Sequence, residues 1–125
     1  MKRFLINLML LLTAVVLSLV FVPVSCVYTI GLSFIRPRFV LPLFPDLLFT
    51  AAKSIDQFGN AFCYLFLNAV LIKHDNIHPF GDEDETISSV LGRNKLVDNL
   101  TRTGVLLDNI LHLFDENHTI DAIGE

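Results

Sequence analysis

Histidines and carboxylates in the second half of the chain are spaced as metal ligands could be. His74 and His78 lie four residues apart, a spacing that would place both imidazoles on one face of a helix. Pro79 and Gly81 follow closely and favour a turn, in which the two rings would not share a face. A second set recurs every third residue near the end of the chain: Asp115, His118 and Asp121. A surface turn is the ordinary interpretation of that set, so no metal site and no cofactor are expected.

The segment after Gly81 alternates oxygen-bearing side chains in the way that the early part of a calcium loop does. A calcium loop needs glycine at its sixth position and a bidentate glutamate at its twelfth. This chain has Ile87 and Arg93 at those positions, which excludes an EF-hand. The alternating residues are Asp82, Asp84, Thr86 and Ser88.

The same segment has the features of a helix start. Carboxylates stabilise the N-terminal end of a helix, and Asp84 or Thr86 can cap its free amides. Gly92 is expected to end or bend this short helix, with Arg93 and Lys95 near its C-terminus, where cations are favourable.

No residue pattern indicates an enzyme. The sequence lacks a nucleophile elbow with Ser, His and Asp partners, a Gly-rich phosphate loop and a His-Glu zinc motif. Cys26 and Cys63 lie in apolar surroundings, without the spacing of a disulfide framework or a zinc site, and are expected to be small buried hydrophobes. A non-enzymatic protein is therefore predicted.

A stripe of polar residues runs along the predicted helix over residues 46–72, at steps of three or four. On one helix this spacing forms a narrow polar sector, and the rest of the circumference is apolar. The stripe could face water while the helix lies at a membrane interface, or it could face a pore or another helix in a second membrane pass over residues 54–72. A buried helix of a globular core is the third interpretation. The stripe comprises Asp46, Thr50, Lys53, Gln57, Asn60, Tyr64 and Asn68.

The N-terminal third contains 32 consecutive uncharged residues, from Phe4 to Ile35. About 20 apolar residues suffice to cross a bilayer, and Phe4 to Val22 supplies 19, so residues 1–35 are predicted to be a transmembrane anchor. A cleaved signal peptide is the alternative, although its apolar core would be about 7–15 residues long. Residues 36–45 contain three prolines and are interpreted as a linker.

Charge divides the chain into two halves. Residues 1–72 carry five basic and two acidic residues, whereas residues 73–125 carry four basic and eleven acidic residues. An acidic tail argues against nucleic-acid binding, which needs clusters of Lys and Arg. A 53-residue tail is short for independent folding, so Leu100, Leu107 and Leu111 are expected to pack against the 46–72 helix. The tail is predicted to be helical over residues 84–114, with a helix from Asn94 to Phe114 weakened at Gly104.

Residues 53–125 resemble small uncharacterised proteins of tailed bacteriophages. The resemblance rests on Gln57-Phe58-Gly59-Asn60-Ala61, on Gly92-Arg93, and above all on the motif from Gly81 to Ser89, which includes Asp82, Asp84, Glu85, Thr86, Ser88 and Ser89. Those proteins tend to read His-Cys-x-x-Ser-Ile-Glu near their ends, where this chain lacks the cysteine and the serine after His118. The resemblance implies a viral source and no particular chemistry.

The sequence thus predicts an all-α phage protein with a transmembrane helix, a long amphipathic helix and an acidic helical tail. Its expected location is the host inner membrane, as a single pass or a helical hairpin, and its expected partners are the bilayer and another protein. The alternative is a holin-like lysis protein, a homo-oligomer in which Thr50, Gln57, Asn60 and Asn68 line a membrane lesion. A secreted factor released by signal cleavage is a third class.

Overall fold

The computed structural model describes residues 1–124 and is helical throughout. Helix occupies 77% of the chain and no strand occurs in this range, so the all-α prediction is confirmed. The chain divides into two compact units, Met1–Leu47 and Leu48–Glu125. The helices are α1 (Lys2–Ile35), α2 (Pro37–Val40), a 3-10 turn (Leu41–Leu43), α3 (Phe44–Leu71), α4 (Ile87–Leu96), α5 (Arg102–Phe114) and α6 (His118–Asp121).

Helix α1 is a candidate membrane span by length and composition. It has 34 residues, its most apolar window reaches a mean hydropathy of 2.7, and none of that window is buried. No other helix within residues 1–124 meets the same length and hydropathy requirement. The hydroxyl of Thr13 donates to the Met9 carbonyl and that of Ser33 to the Ile30 carbonyl. These polar side chains are therefore satisfied within the helix, as a bilayer requires.

The segment predicted as a linker is helical instead. After a break at Arg36, α2 and the 3-10 turn lead directly into α3. Pro37 begins α2, Pro42 lies at the start of the 3-10 turn and Pro45 lies in the first turn of α3. Proline is tolerated at these positions because the first amides of a helix have no intrahelical acceptor. The prolines divide the helices without preventing them.

The second unit packs around a core formed by the end of α3, by α4 and by Leu100. Leu107 and Leu111 of α5 are half-buried against this cluster, as predicted, whereas Leu96, Ile110 and Phe114 are exposed. The buried cluster comprises Leu67, Leu71, Ile72, Phe80, Val90, Leu91 and Leu100.

The break between the first two helices of the tail lies after Leu96, whereas the sequence predicts it at Gly92, and a short third helix, α6, follows α5. Helix α4 ends at Leu96, and Thr101 begins α5 by accepting a hydrogen bond from the Gly104 amide. Between them the chain runs beside the end of α3, where the Thr101 amide donates to the Leu71 carbonyl at 2.9 Å. Gly104 lies in the first turn of α5, and a Cβ there would come within 2.3 Å of the same carbonyl. Gly104 thus permits this close contact and does not weaken the helix.

Candidate functional site

Asn60 is the centre of the polar network in the second unit. Its side chain is fully buried and belongs to the predicted polar stripe on α3. The amide nitrogen donates to the carbonyls of Asp82 and Glu85 at 2.9 and 2.8 Å, and the amide oxygen accepts from the Gly81 backbone at 3.0 Å. One side chain therefore holds three backbone groups of the segment at residues 80–86, named here the acidic loop.

Two other stripe residues hold the same loop. Gln57 donates to the Asp84 carbonyl at 3.0 Å. Asn68 donates to the Phe80 carbonyl at 3.1 Å and accepts from the Phe80 amide at 2.7 Å. In this structure Gln57, Asn60 and Asn68 therefore face the acidic loop, whereas Tyr64 of the same stripe is exposed. Thr50, the fourth residue of the proposed stripe site, is exposed and takes no part through its side chain.

The predicted motif is built into the same network. Thr86 caps α4 by accepting from the Ser89 amide, as predicted. Glu85 binds Arg93 at 2.6 Å and accepts a hydrogen bond from the Ser89 hydroxyl. The side chain of Asp82 accepts from the Asp84 amide at 3.0 Å, which tightens the loop. Stripe and motif, inferred separately from the sequence, therefore form one contact surface.

Ser88 extends the contact to the next turn of α3. Its hydroxyl and its amide both donate to the Asp56 carboxylate, at 2.9 and 3.3 Å. A serine paired with a carboxylate can be part of a catalytic site. Here, however, the Asp56 carboxylate also accepts a hydrogen bond from the Ser88 amide in the first turn of α4. The arrangement anchors the start of α4 to α3.

Gly92 does not end α4, contrary to the prediction. It has a packing role instead. The helix continues through it to Leu96. A Cβ at Gly92 would lie 1.9 Å from the Thr119 carbonyl oxygen, so only glycine allows α6 to approach α4 this closely. Local sequence cannot reveal this role because Thr119 is 27 residues away.

Two further buried polar groups were not predicted from the sequence. Asn99 donates to Asn94 and to the His74 carbonyl, while Asn94 donates to the carbonyls of His78 and Val90. These bonds fix the loop between α3 and α4. Only a weak signal for these contacts is present in the sequence. It consists of two asparagines close to apolar positions in the segment predicted to be one helix from Asn94 to Phe114.

The second group joins three helices through Asp108. Its carboxylate, almost fully buried, binds Lys95 of α4 at 2.8 Å and accepts from Thr119 of α6 at 2.5 Å. Burial acts to raise the pKa of Asp108, but the hydrogen bonds from Lys95 and Thr119 and the positive charge of Lys95 outweigh it, and the pKa is lowered. Asp108 is therefore held as a carboxylate that ties α5 to α4 and α6.

Two open cavities border this network. A cavity of about 390 Å³ lies between α3, α4 and α5 and is mostly apolar, with Phe49, Leu107 and Leu111 in its lining. A second, of about 460 Å³, is lined by Tyr64, His78 and the Glu85–Arg93 pair. The side-chain nitrogen and oxygen atoms buried within residues 1–124 all have hydrogen-bond partners.

The residues first considered for metal binding do not form a ligand set in the described part of the chain. No group of three His, Cys, Asp or Glu side chains suited to a metal ion occurs there. His74 and His78 lie in the turn that the sequence predicts, and His118 contacts Asp115 at 3.2 Å. Cys26 and Cys63 are exposed, contrary to the expectation that they are buried, because the helix faces that carry them have no partner within their units.

Comparison with known proteins gives no relative to which this site can be assigned. No family model, curated protein or solved structure matches the chain.

Proposed function

We propose that this chain is a membrane-anchored, non-enzymatic protein of a tailed phage, which acts by binding another protein through its helical second unit. The observation that carries this proposal is the 34-residue apolar helix α1, none of whose most apolar window is buried. An apolar helix of this length without a protein partner is stable in a bilayer and is a liability in water. The resemblance of the 81–89 motif to phage proteins supports the source and, with it, the host inner membrane as the location.

A binding role is supported by the apolar side chains that the second unit leaves exposed. The motif and stripe side chains bind one another and the backbone, so they serve the fold. Part of the exposed surface is an apolar row on α5, where Leu106, Leu113 and Phe114 are 60–86% exposed. Exposed apolar rows of this kind are typical of surfaces that bind a partner.

The holin-like alternative has less support. It requires Gln57, Asn60 and Asn68 to face a pore, whereas these side chains hold the acidic loop. A pore would first have to release these bonds, leaving buried backbone groups of the loop without partners.

Membrane extraction tests the anchor directly. We expect the full-length chain to remain in the membrane pellet after carbonate extraction, at its uncleaved mass. Leu11→Arg with Leu12→Arg should move it to the soluble or degraded fraction, because each central arginine costs about 2.5–3.5 kcal/mol on insertion. Leu11→Ile with Leu12→Ile is the matched control and should stay in the pellet. A shortened, extractable product from the original chain would show a cleaved signal peptide and overturn the proposal.

A further inference from the structure

Helix α3 has a second face, opposite the polar stripe, that is apolar along its whole length. Its residues recur at alternating steps of three and four over 22 positions, and all seven are exposed. Ile55, Phe58, Phe62 and Leu65 are 60–71% exposed, and the rings of Phe58 and Phe62 stack with centroids 5.5 Å apart. This face, named here the α3 seam, comprises Leu48, Ala51, Ile55, Phe58, Phe62, Leu65 and Ala69.

Alternation of three and four over three heptads is the pattern by which two helices pack against each other. It keeps the apolar residues on one line as the helices wind together. The seam lies within a wider exposed apolar face of α3 that also includes Phe49 and Phe66. The core of this unit uses other residues of α3, Leu67 and Leu71, and the seam residues stay exposed.

The charges distinguish a helical partner from a lipid surface. Interfacial helices place Lys and Arg beside their apolar face, but the described part of α3 within the second unit has one cation, Lys53, which is half-buried. The unit as a whole carries five basic and twelve acidic residues, a net charge of −7, and would be repelled by anionic lipid.

The residues that flank the seam suit a second copy of the same helix. They are Ala52, Gly59 and Phe66 on one side and Ser54, Ala61 and Asn68 on the other, without any charge. Two identical copies therefore place no like charges opposite each other. A buried aromatic side chain covers about 150–250 Å². Phe58 and Phe62 are 60% and 67% exposed, so together with the aliphatic seam residues they can supply a substantial part of the about 800 Å² per partner that a stable interface needs.

We propose that the α3 seam is the interface of a parallel homodimer. This inference deepens the proposed function by naming the partner of one apolar surface as a second copy of the chain. Only the parallel direction rests on the membrane anchor, because two copies inserted in one bilayer in the same orientation enter α3 from the same side. The α5 surface stays available for a different protein.

Cysteine cross-linking in membranes tests the interface in the full-length chain. In a background of Cys26→Ser and Cys63→Ser, Ala51→Cys and Ala69→Cys should each form a disulfide-linked dimer, because a parallel seam pairs each position with itself. Thr50→Cys is the matched control: Thr50 is also exposed and is adjacent to Ala51 in sequence, but lies on another face of α3, and should cross-link several-fold less. Equal cross-linking at residues 50 and 51 would overturn the seam.

Two further measurements separate a dimer from lipid docking and from misfolding. Phe58→Glu with Phe62→Glu should convert the detergent-solubilised dimer to a monomer by light scattering, with the circular dichroism unchanged, because both side chains are exposed. The chain has no tryptophan, so Phe62→Trp gives a single reporter. Shielding by a second copy predicts little quenching by brominated lipids, whereas strong quenching would assign the face to the bilayer and overturn the dimer. A monomeric original chain that stays in the membrane pellet would also overturn it, while leaving the anchor intact.

Discussion

Asn60 shows how much of this unit depends on a single amide. A buried asparagine is costly unless its donors and acceptor are satisfied, and here two carbonyls and one backbone amide of the acidic loop do so. The loop in turn needs Asn60, because its backbone groups have few other partners.

Asp108 makes the stability of the second unit depend on pH. Its pKa is lowered in the folded chain, so its contribution is present above the ordinary aspartate pKa of about 3.9 and is lost as the pH falls through the lowered folded value. We expect the chemical-denaturation midpoint to decrease on acidification below about pH 4. Asp108→Asn should lower the stability at pH 7 by about 1.5–3 kcal/mol and reduce this decrease.

Asp98→Asn is the matched control for that prediction. Asp98 also contacts a lysine, Lys73, but its side chain is 99% exposed, and an exposed pair contributes little. If Asp98→Asn changed the acid dependence as much as Asp108→Asn, the three-helix role of Asp108 would be wrong.

At the scale of the helices, the sequence predicted the features that depend on residues close together in the chain. The Thr86 cap, the turn after His74 and the packing of Leu107 and Leu111 all follow from propensity or periodicity, and the structure has them. Gly92 and the break between α4 and α5 depend on residues distant in sequence. The local sequence around a mid-helix glycine or a run of apolar residues does not indicate whether a distant carbonyl packs against it.

The crossing of α4 and α6 gives a prediction for Gly92. In Gly92→Ala the new Cβ would overlap the Thr119 carbonyl at 1.9 Å, so the helices must separate, at a cost of about 1–3 kcal/mol. Thermal or chemical denaturation of the detergent-solubilised chain measures this. Gly59→Ala is the control, because its Cβ meets only the flexible end of Ile87 at 3.1 Å and alanine favours a helix. Equal destabilisation by both variants would contradict the close approach of α6.

At the scale of the whole molecule, the sequence predicted the all-α class, the apolar N-terminal helix and the acidic tail, because composition and periodicity carry that information. It did not predict what the polar stripe contacts. A narrow polar sector on an apolar helix is typical of a pore, of an interface and of a helix that holds its own loop. Only the group that the polar sector contacts distinguishes these cases, and here Asn60 binds backbone groups 21 to 25 residues later in the chain.

Whether the polar stripe lines a pore or holds the acidic loop can be tested in cells. We expect high expression of the original chain to leave the membrane potential of a bacterial host intact, because the stripe is occupied by the acidic loop. Gln57→Leu with Asn60→Leu should leave membrane attachment unchanged but free the loop, since each unsatisfied buried group costs about 1–3 kcal/mol. Faster hydrogen exchange at the Gly81 amide, which donates to Asn60 in the original chain, would report the release.

Thr50→Leu is the control and should leave this exchange slow, because the Thr50 side chain makes no contact with the acidic loop. Collapse of the membrane potential by the original chain, lost in the double variant while Gly81 stays protected, would instead assign the stripe to a pore and favour a holin.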